Sequence, residues 1–167
     1  MLDQSLLLLF PAAMAFAAAM DMLTMTIPNR ISLVLIGAFF VAAYFAGLSL
    51  QQVFEHLATG AVVLVVCFAL FAAGVFGGGD AKLLAASALW IGFDQLLPYV
   101  FNIALLGGIL AFVIVVARKY FPEGSMRAPV WVLRLQSRET GIPYGLAIAA
   151  AALWVYPSTV FFHGLAF

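Results

Sequence analysis

Charged side chains are scarce in this chain of 167 residues. Seven Lys and Arg residues and seven Asp and Glu residues make only 8% of positions charged, while 66% are hydrophobic. Soluble domains typically have about 25% charged residues and roughly 45–50% apolar ones. So few charges cannot cover a water-exposed surface, which excludes an ordinary soluble protein. The balance of charge also leaves no basic excess for binding nucleic acid.

Cysteine is almost absent as well. The single cysteine, Cys67, lies in a run of aliphatic residues, which excludes an internal disulfide and a multi-cysteine zinc site. We expect Cys67 to be a small packing residue. His56 and His163 fall at the outer ends of apolar runs, away from the acidic residues discussed below. We therefore expect neither a metal nor a cofactor.

Long apolar runs are what the chain has in abundance. An apolar stretch of about 20 residues spans a bilayer as a helix, and six such stretches are predicted at roughly 5–25, 30–48, 56–76, 81–96, 97–117 and 144–163. The predicted fold class is all-α, a polytopic membrane protein of about six transmembrane helices, with a single membrane-embedded domain over residues 1–167. The first stretch has no basic start, which argues against a signal peptide.

The basic residues all fall on one side of this predicted arrangement. Arg30 follows the first span, Lys82 lies where the third meets the fourth, and the rest lie between the fifth and sixth: Arg118, Lys119, Arg127, Arg134 and Arg138. Because basic residues near span ends stay in the cytoplasm, we expect both termini on the outer side and residues 118–143 as a cytoplasmic connection. Within it, residues 130–135 predict either an interfacial helix or a short strand.

Two aspartates lie at the cytoplasmic ends of predicted spans, where an ionised Asp usually faces a cavity or a partner. Asp21 shares its helix side with Ala17 and Ala18, which leaves room for another helix or a substrate. Asp80 follows three glycines at 77–79, which permit positive φ and close backbone approach. Taken singly, Asp21 is also interpretable as an interfacial acid near Arg30, and Asp80 as a helix N-cap.

As a pair, the two aspartates indicate a specific chemistry. Two close carboxyls cannot both ionise, so one can take a proton from water while the other donates a proton to a carbonyl oxygen. This is the chemistry of peptide hydrolysis without a metal or a covalent intermediate. The N-terminus of the fourth helix favours an ionised Asp80 as the base, with Asp21 as the acid.

Three short elements follow one another along the chain. They are DMLTMTIPN from Asp21 to Asn29, GGGDAK from Gly77 to Lys82, and IPYG from Ile142 to Gly145. They resemble the D-x5-I-P-N, G-x-G-D-x-K and P-[FY]-G elements of the type IV prepilin peptidases, which are GxGD-type intramembrane aspartyl peptidases. The resemblance implies Asp21 and Asp80 as the catalytic pair. It also implies a supporting or substrate-positioning role for Pro28, Asn29, Gly77, Gly79, Lys82, Pro143, Tyr144 and Gly145.

The same resemblance implies the substrate and the compartment. The substrate would be a prepilin precursor with a short leader and a hydrophobic helix, cut at the cytoplasmic face of the bacterial inner membrane. Larger relatives add two C-x-x-C pairs and N-methylate the new amino terminus, whereas this chain has only Cys67, so methylation is not expected. The short form looks most like the peptidases of tight-adherence (Flp) pilus systems. Thr24 and Thr26 stand where many longer relatives have basic residues.

The supporting residues also have plain structural interpretations. Pro28 and Asn29 would end the first helix, because the residue before a proline is displaced from helical geometry. Lys82 would hold Asp80 or a substrate carboxylate, or would only mark the membrane boundary. Pro143 suits the start of a helix, and Tyr144 suits the interfacial aromatic belt.

Three other functions are compatible with parts of the pattern. A proton-coupled transporter or channel subunit would use Asp21 and Asp80 as relay groups. Such a protein needs polar residues through the full thickness of the membrane, and the second, third and sixth predicted spans have almost none at mid-depth. A presenilin-like or signal-peptide-peptidase-like enzyme shares G-x-G-D, but the I-P-N element argues against it. A non-catalytic assembly scaffold would leave the paired aspartates without a use.

Overall fold

The computed structural model describes residues 2–121, 128–137 and 139–166, and its regular elements are all helical. The predicted all-α class is therefore confirmed for this part of the chain. In order, the helices are α1 (Leu2–Thr24), α2 (Asn29–Phe45), α3 (Leu50–Ala72), α4 (Gly78–Ile91), α5 (Leu96–Tyr120), α6 (Val130–Gln136), α7 (Tyr144–Val155) and α8 (Val160–Ala166).

Three of these helices are long and apolar enough to cross a bilayer. The qualifying stretches are Leu6–Thr24, Leu50–Ala72 and Leu96–Tyr120, while Asn29–Phe45 and Tyr144–Ser158 are apolar but shorter. These lengths and compositions indicate a membrane protein. The count of six spans and the placement of both termini on the outer side stay predictions.

Two predicted boundaries differ from the structure because of local backbone chemistry. The last predicted span breaks after Val155 into a 3-10 turn, Tyr156–Ser158, because Pro157 has no N–H to continue the helix. The first helix ends at Thr24, where Met25 takes a φ of 55°. Pro28 is instead the N-cap of α2, so the interpretation that Pro28 and Asn29 end the first helix is wrong.

The connection between α5 and α7 contains a short helix. Of the two predicted possibilities for residues 130–135, the helix is correct, since α6 spans Val130–Gln136. Pro122, Gly124, Glu123, Arg127 and Arg138 of the predicted connection lie outside the described residues.

The fourth helix is the centre of the fold. From Ala81 to Ile91, every residue of α4 except Lys82 is buried, and α2, α3 and α7 pack around it. Several polar side chains inside this core form hydrogen bonds: Trp90 Nε1 donates to the Leu35 carbonyl oxygen at 2.9 Å, and the Ser87 and Tyr99 hydroxyls lie 2.7 Å apart. A helix enclosed in this way holds its first turn, which includes Asp80, in a defined position.

The C-terminus of α4 predicts a strong stability effect. Gly92 has φ 74° and ψ 170°, a conformation essentially limited to glycine, and a Cβ there would lie 2.7 Å from His56 Cε1. Movement of the His56 ring is restricted, because it contacts the rings of Phe39 and Phe161 and its Nδ1 lies 2.6 Å from the Leu89 carbonyl oxygen. We expect Gly92→Ala to lower the free energy of unfolding by about 1–3 kcal/mol.

Thermal unfolding in detergent micelles, followed by circular dichroism, measures this effect. Gly47→Ala is the matched control, because Gly47 has φ 68° but no atom within 4 Å of an added Cβ. We expect the Gly92 variant to unfold at a clearly lower temperature than the Gly47 variant. Equal unfolding temperatures would show that the contact with His56 contributes nothing.

Candidate active site

Asp21 is held by the start of a distant helix. It lies in the last turn of α1 and is only 6% exposed. The backbone N–H of Gly145, the second residue of α7, donates to Asp21 Oδ2 at 2.7 Å. This N–H is available because the first N–H groups of a helix have no partner within the helix. A Cβ on residue 145 would lie 2.8 Å from the same oxygen, so glycine makes the approach possible.

Asp80 lies in the first turn of α4 and is half-buried. The interpretation of Asp80 as the helix N-cap is wrong, because Gly77 occupies that position and no side chain caps it. A Cβ on Gly77 would lie 2.7 Å from Asp80 Oδ2. None of the three glycines at 77–79 has a positive φ, so this run serves close packing rather than an unusual turn.

The two aspartates converge on a common site. Ile27 packs between the elements that carry them: a Cβ on Gly79 would lie 3.4 Å from Ile27 Cβ, and a Cβ on Gly145 would lie 2.8 Å from Ile27 Cδ1. Asp80 directly follows Gly79, and Asp21 accepts the N–H of Gly145, so Ile27 contacts the backbone next to each acid. The C-terminal end of α1 and the N-terminal ends of α4 and α7 therefore form one acidic site. This site is accessible on the side of the half-buried Asp80.

The small-residue side of α1 is occupied by another helix. Ala17 and Ala18 are buried, and α7 packs along α1. The room predicted there for a helix or a substrate is thus largely filled by α7. A groove of about 330 Å³ remains between the two helices, lined by Ala15, Ala18, Ala19, Met22, Leu146, Ala149, Ala150 and Leu153.

Lys82 and Asn29 form a contact between the first two motifs. Lys82 Nζ donates to Asn29 Oδ1 at 3.0 Å. Asn29 is the first residue of α2 and Pro28 is its N-cap. In this structure Lys82 therefore binds the second half of the D-x5-I-P-N element and makes no hydrogen bond to Asp80.

The third motif forms the start of α7. Pro143 is its buried N-cap, in agreement with the helix start predicted there. Tyr144 packs closely on α5, since a Cβ on Gly107 would lie 2.7 Å from Tyr144 Cε1. Its ring also lies 6.5 Å from the ring of Phe76. These contacts fix the position of the helix end that carries Gly145.

The described residues contain no group of three or more His, Cys, Asp or Glu side chains that could hold a metal ion.

Residues 8–112 match the sequence model of the type IV leader peptidase family. This stretch covers most of the chain and includes both Asp21 and Asp80. The chain belongs to the type IV leader peptidase family. The resemblance predicted from the motifs is thereby confirmed, although Gly145 and the third motif lie beyond the matched stretch. Neither the curated proteins nor the solved structures gave a match.

In this member of the type IV leader peptidase family, two arginines bind the backbone of segments that lie next to the site. Arg118 at the end of α5 donates through Nε to the Leu135 carbonyl oxygen at 2.7 Å, and through Nη2 to the carbonyl oxygens of Thr140 and Gly141 at 3.0 and 3.1 Å. It thus holds the segment that leads into Pro143. The sequence patterns indicated only that Arg118 lies on the cytoplasmic side, and no local signal identified its partners.

Arg134 extends this arrangement from α6 to α1. Its Nη1 donates to the Leu23 carbonyl oxygen at 3.1 Å, two residues after Asp21. The Thr140 hydroxyl in turn donates to the Arg134 carbonyl oxygen. The connection between α5 and α7, which carries most of the basic residues, therefore also packs beside the acidic site.

We expect Arg118→Gln to slow cleavage by the leader peptidase about tenfold, because hydrogen bonds from a charged group contribute about 1.5–3 kcal/mol each. Arg118→Lys should restore part of the rate, since an ammonium keeps the charge but not the forked geometry. The exposed neighbour Lys119 provides the matched control, Lys119→Gln. The measurement is the cleavage rate together with the unfolding temperature. Equal rates for the two glutamine variants would contradict a positioning role for Arg118.

Proposed function

We propose that the chain is an intramembrane aspartyl endopeptidase that removes the leader of prepilin-type precursors, with Asp21 and Asp80 as the catalytic residues. Membership of the type IV leader peptidase family supports leader peptidase activity. The observation that carries the aspartyl mechanism is geometric: Ile27 contacts both Gly79, which precedes Asp80, and Gly145, whose N–H binds Asp21.

The proposed reaction divides two proton transfers between the acids. Asp80, the more exposed of the two acids, is ionised and takes a proton from a water molecule. The water oxygen attacks the scissile carbonyl carbon while protonated Asp21 donates to the carbonyl oxygen. The C–N bond then breaks, the amine leaves with the proton that Asp80 took, and the re-formed carbonyl returns the other proton to Asp21.

The hydrogen bond from Gly145 is compatible with this assignment. It occupies Asp21 Oδ2 and leaves Oδ1 to carry the proton that is donated. Asp21 is 6% exposed, and Asp80 is half-buried. The more exposed carboxyl is thus the one that must meet the attacking water.

The proposed topology has six spans, both termini on the outer side and the acidic site at the cytoplasmic face of the bacterial inner membrane. The contact of Arg134 with the Leu23 carbonyl oxygen supports it, because basic connections stay in the cytoplasm and this one packs beside Asp21. We further propose that residues 1–167 act as one domain, with the Flp-type precursor as substrate. The single cysteine, Cys67, supports cleavage without N-methylation.

The direct test uses the whole chain reconstituted into liposomes with a precursor that has a leader and a hydrophobic helix. We expect one cut after the leader, an unmodified new amino terminus by mass spectrometry, and no effect of EDTA. Loss of cleavage in EDTA with recovery on adding zinc would replace the aspartyl mechanism by a metal-dependent one. Absence of cleavage together with proton flux into the same liposomes would favour the transporter function.

A further inference from the structure

An apolar groove of about 510 Å³ lies between α2 and α3, with α4 as its floor. Each helix contributes a stretch of similar length, covering residues 29–36, 57–64 and 82–89. At 1.5 Å per residue, the groove is about 10 Å deep along the helices. Lys82 lies in the groove, and it is two residues from Asp80, so the two side chains point to nearly opposite sides of α4. The groove is therefore separate from the acidic site.

The chemistry of the groove wall changes with depth. At one end lies Lys82, whose ammonium group donates to Asn29 Oδ1 at 3.0 Å and has no ion-pair partner among the residues that the structure describes. About one helical turn deeper lies Ser32, only 6% exposed. Below that level the wall is formed by apolar side chains, including Ile36, Leu57 and Leu89.

The hydroxyl of Ser32 is a buried hydrogen-bond donor that is available to a ligand in the groove. Within the described part of the chain, Ser32 Oγ has no hydrogen-bond partner, although it lines the groove. Buried hydroxyls are normally paired, because an unpaired one loses its hydrogen bonds to water without replacement. The groove therefore has a cation at its rim, an unused donor one turn inside, and hydrocarbon walls beyond.

We propose that this groove binds one anionic phospholipid. Its phosphate would contact Lys82, an ester carbonyl would accept the Ser32 hydroxyl, and an acyl chain would lie against the apolar walls. The order of chemical groups along the lipid matches their order along the groove. A substrate helix fits less well, because its backbone carbonyls are already bonded within the helix and offer no acceptor to Ser32.

This proposal goes beyond the proposed peptidase function and rests on one part of it, the cytoplasmic orientation of the acidic site. With the cytoplasmic orientation proposed above, the rim of the groove faces the leaflet whose anionic lipids attract basic residues. The bound lipid would fill the space between α2 and α3 and brace both against α4. Asn29 follows Pro28 of the D-x5-I-P-N element, so the lipid would also support the segment that leads from Asp21 into α2.

Native mass spectrometry of the detergent-solubilised chain tests the proposal. The probes are 1-palmitoyl-2-oleoyl phosphatidylglycerol and the corresponding phosphatidylcholine. We expect one tightly held phosphatidylglycerol and weaker binding of phosphatidylcholine. Lys82→Gln should weaken phosphatidylglycerol binding about fivefold, which corresponds to one basic residue near an anionic lipid, and should remove the preference. Ser32→Ala should weaken binding of both lipids. Free glycerol phosphate should not compete.

A steric pair of variants distinguishes the groove from the rest of the lipid-facing surface. Ala61 is exposed on α3 and lines the groove, so Ala61→Trp should block the bound lipid. Ala69 is exposed on the same helix outside the groove, and Ala69→Trp should bind lipid normally. Equal lipid binding by the two variants, or by wild type and Lys82→Gln, would overturn the proposal. If Ala61→Trp retains the lipid but loses precursor binding, the groove belongs to the substrate instead.

Discussion

Replacing either Asp21 or Asp80 by asparagine is expected to lower the rate of precursor cleavage by roughly 10²–10⁴-fold or more. This range is the usual contribution of one general acid or base. Asparagine has nearly the shape of aspartate but cannot exchange the proton that the reaction needs. At position 21 it can still accept the hydrogen bond from the Gly145 N–H. The contact between α1 and α7 is therefore retained while the chemistry is lost.

The measurement is single-turnover cleavage in liposomes, with unfolding temperature and membrane insertion followed in parallel. Asp94→Asn is the matched control, because Asp94 is exposed and lies beyond the opposite end of α4. The double variant Asp21→Asn with Asp80→Asn should be no slower than either single variant, since residues that act as one unit are not additive. Normal cleavage by a correctly inserted Asp21 or Asp80 variant would disprove the aspartyl mechanism.

The helices were largely predictable, because the bilayer requires long apolar runs and such runs are visible in the sequence. The boundaries were less so. The fourth helix starts at Gly78 instead of at 81, since Gly78 and Gly79 join the helix and pack against Phe71 and Ile27. The last predicted span is divided by a turn at Tyr156–Ser158, although the sequence is apolar on both sides of that turn.

Asp21 and Asp80 could be selected as candidate acids for a different reason, and their catalytic role stays a prediction. Asp21 and Asp80 each stand in a short motif, and the pattern of basic residues placed both at the same side. Their surroundings depend on contacts between distant segments. The N–H of Gly145 binds Asp21 across 124 residues of sequence, and Arg118 binds backbone carbonyls. A carbonyl group is present at every residue, so composition carries no signal for such partners.

Gly145→Ala is expected to lower kcat for precursor cleavage by about 100-fold, because a misplacement of about 1 Å at a reacting group has an effect of this size. The backbone N–H is kept in this variant. The added Cβ, however, would lie 2.8 Å from Asp21 Oδ2 and 2.8 Å from Ile27 Cδ1. These contacts are too short, so Asp21 has to move away from the helix end that orients it. We expect KM to change little, since the substrate itself is not touched.

Two glycine variants separate this effect from a general loss of structure. Gly141→Ala adds a Cβ in the same segment where no atom lies within 4 Å, and it should cleave normally. Gly107→Ala adds a Cβ 2.7 Å from Tyr144 Cε1, which presses on the start of α7 without touching Asp21. We expect a smaller loss of kcat in that variant than in Gly145→Ala. If the two losses were equal, the decrease would come from displacement of α7, and the contact between Gly145 and Asp21 would not orient the acid.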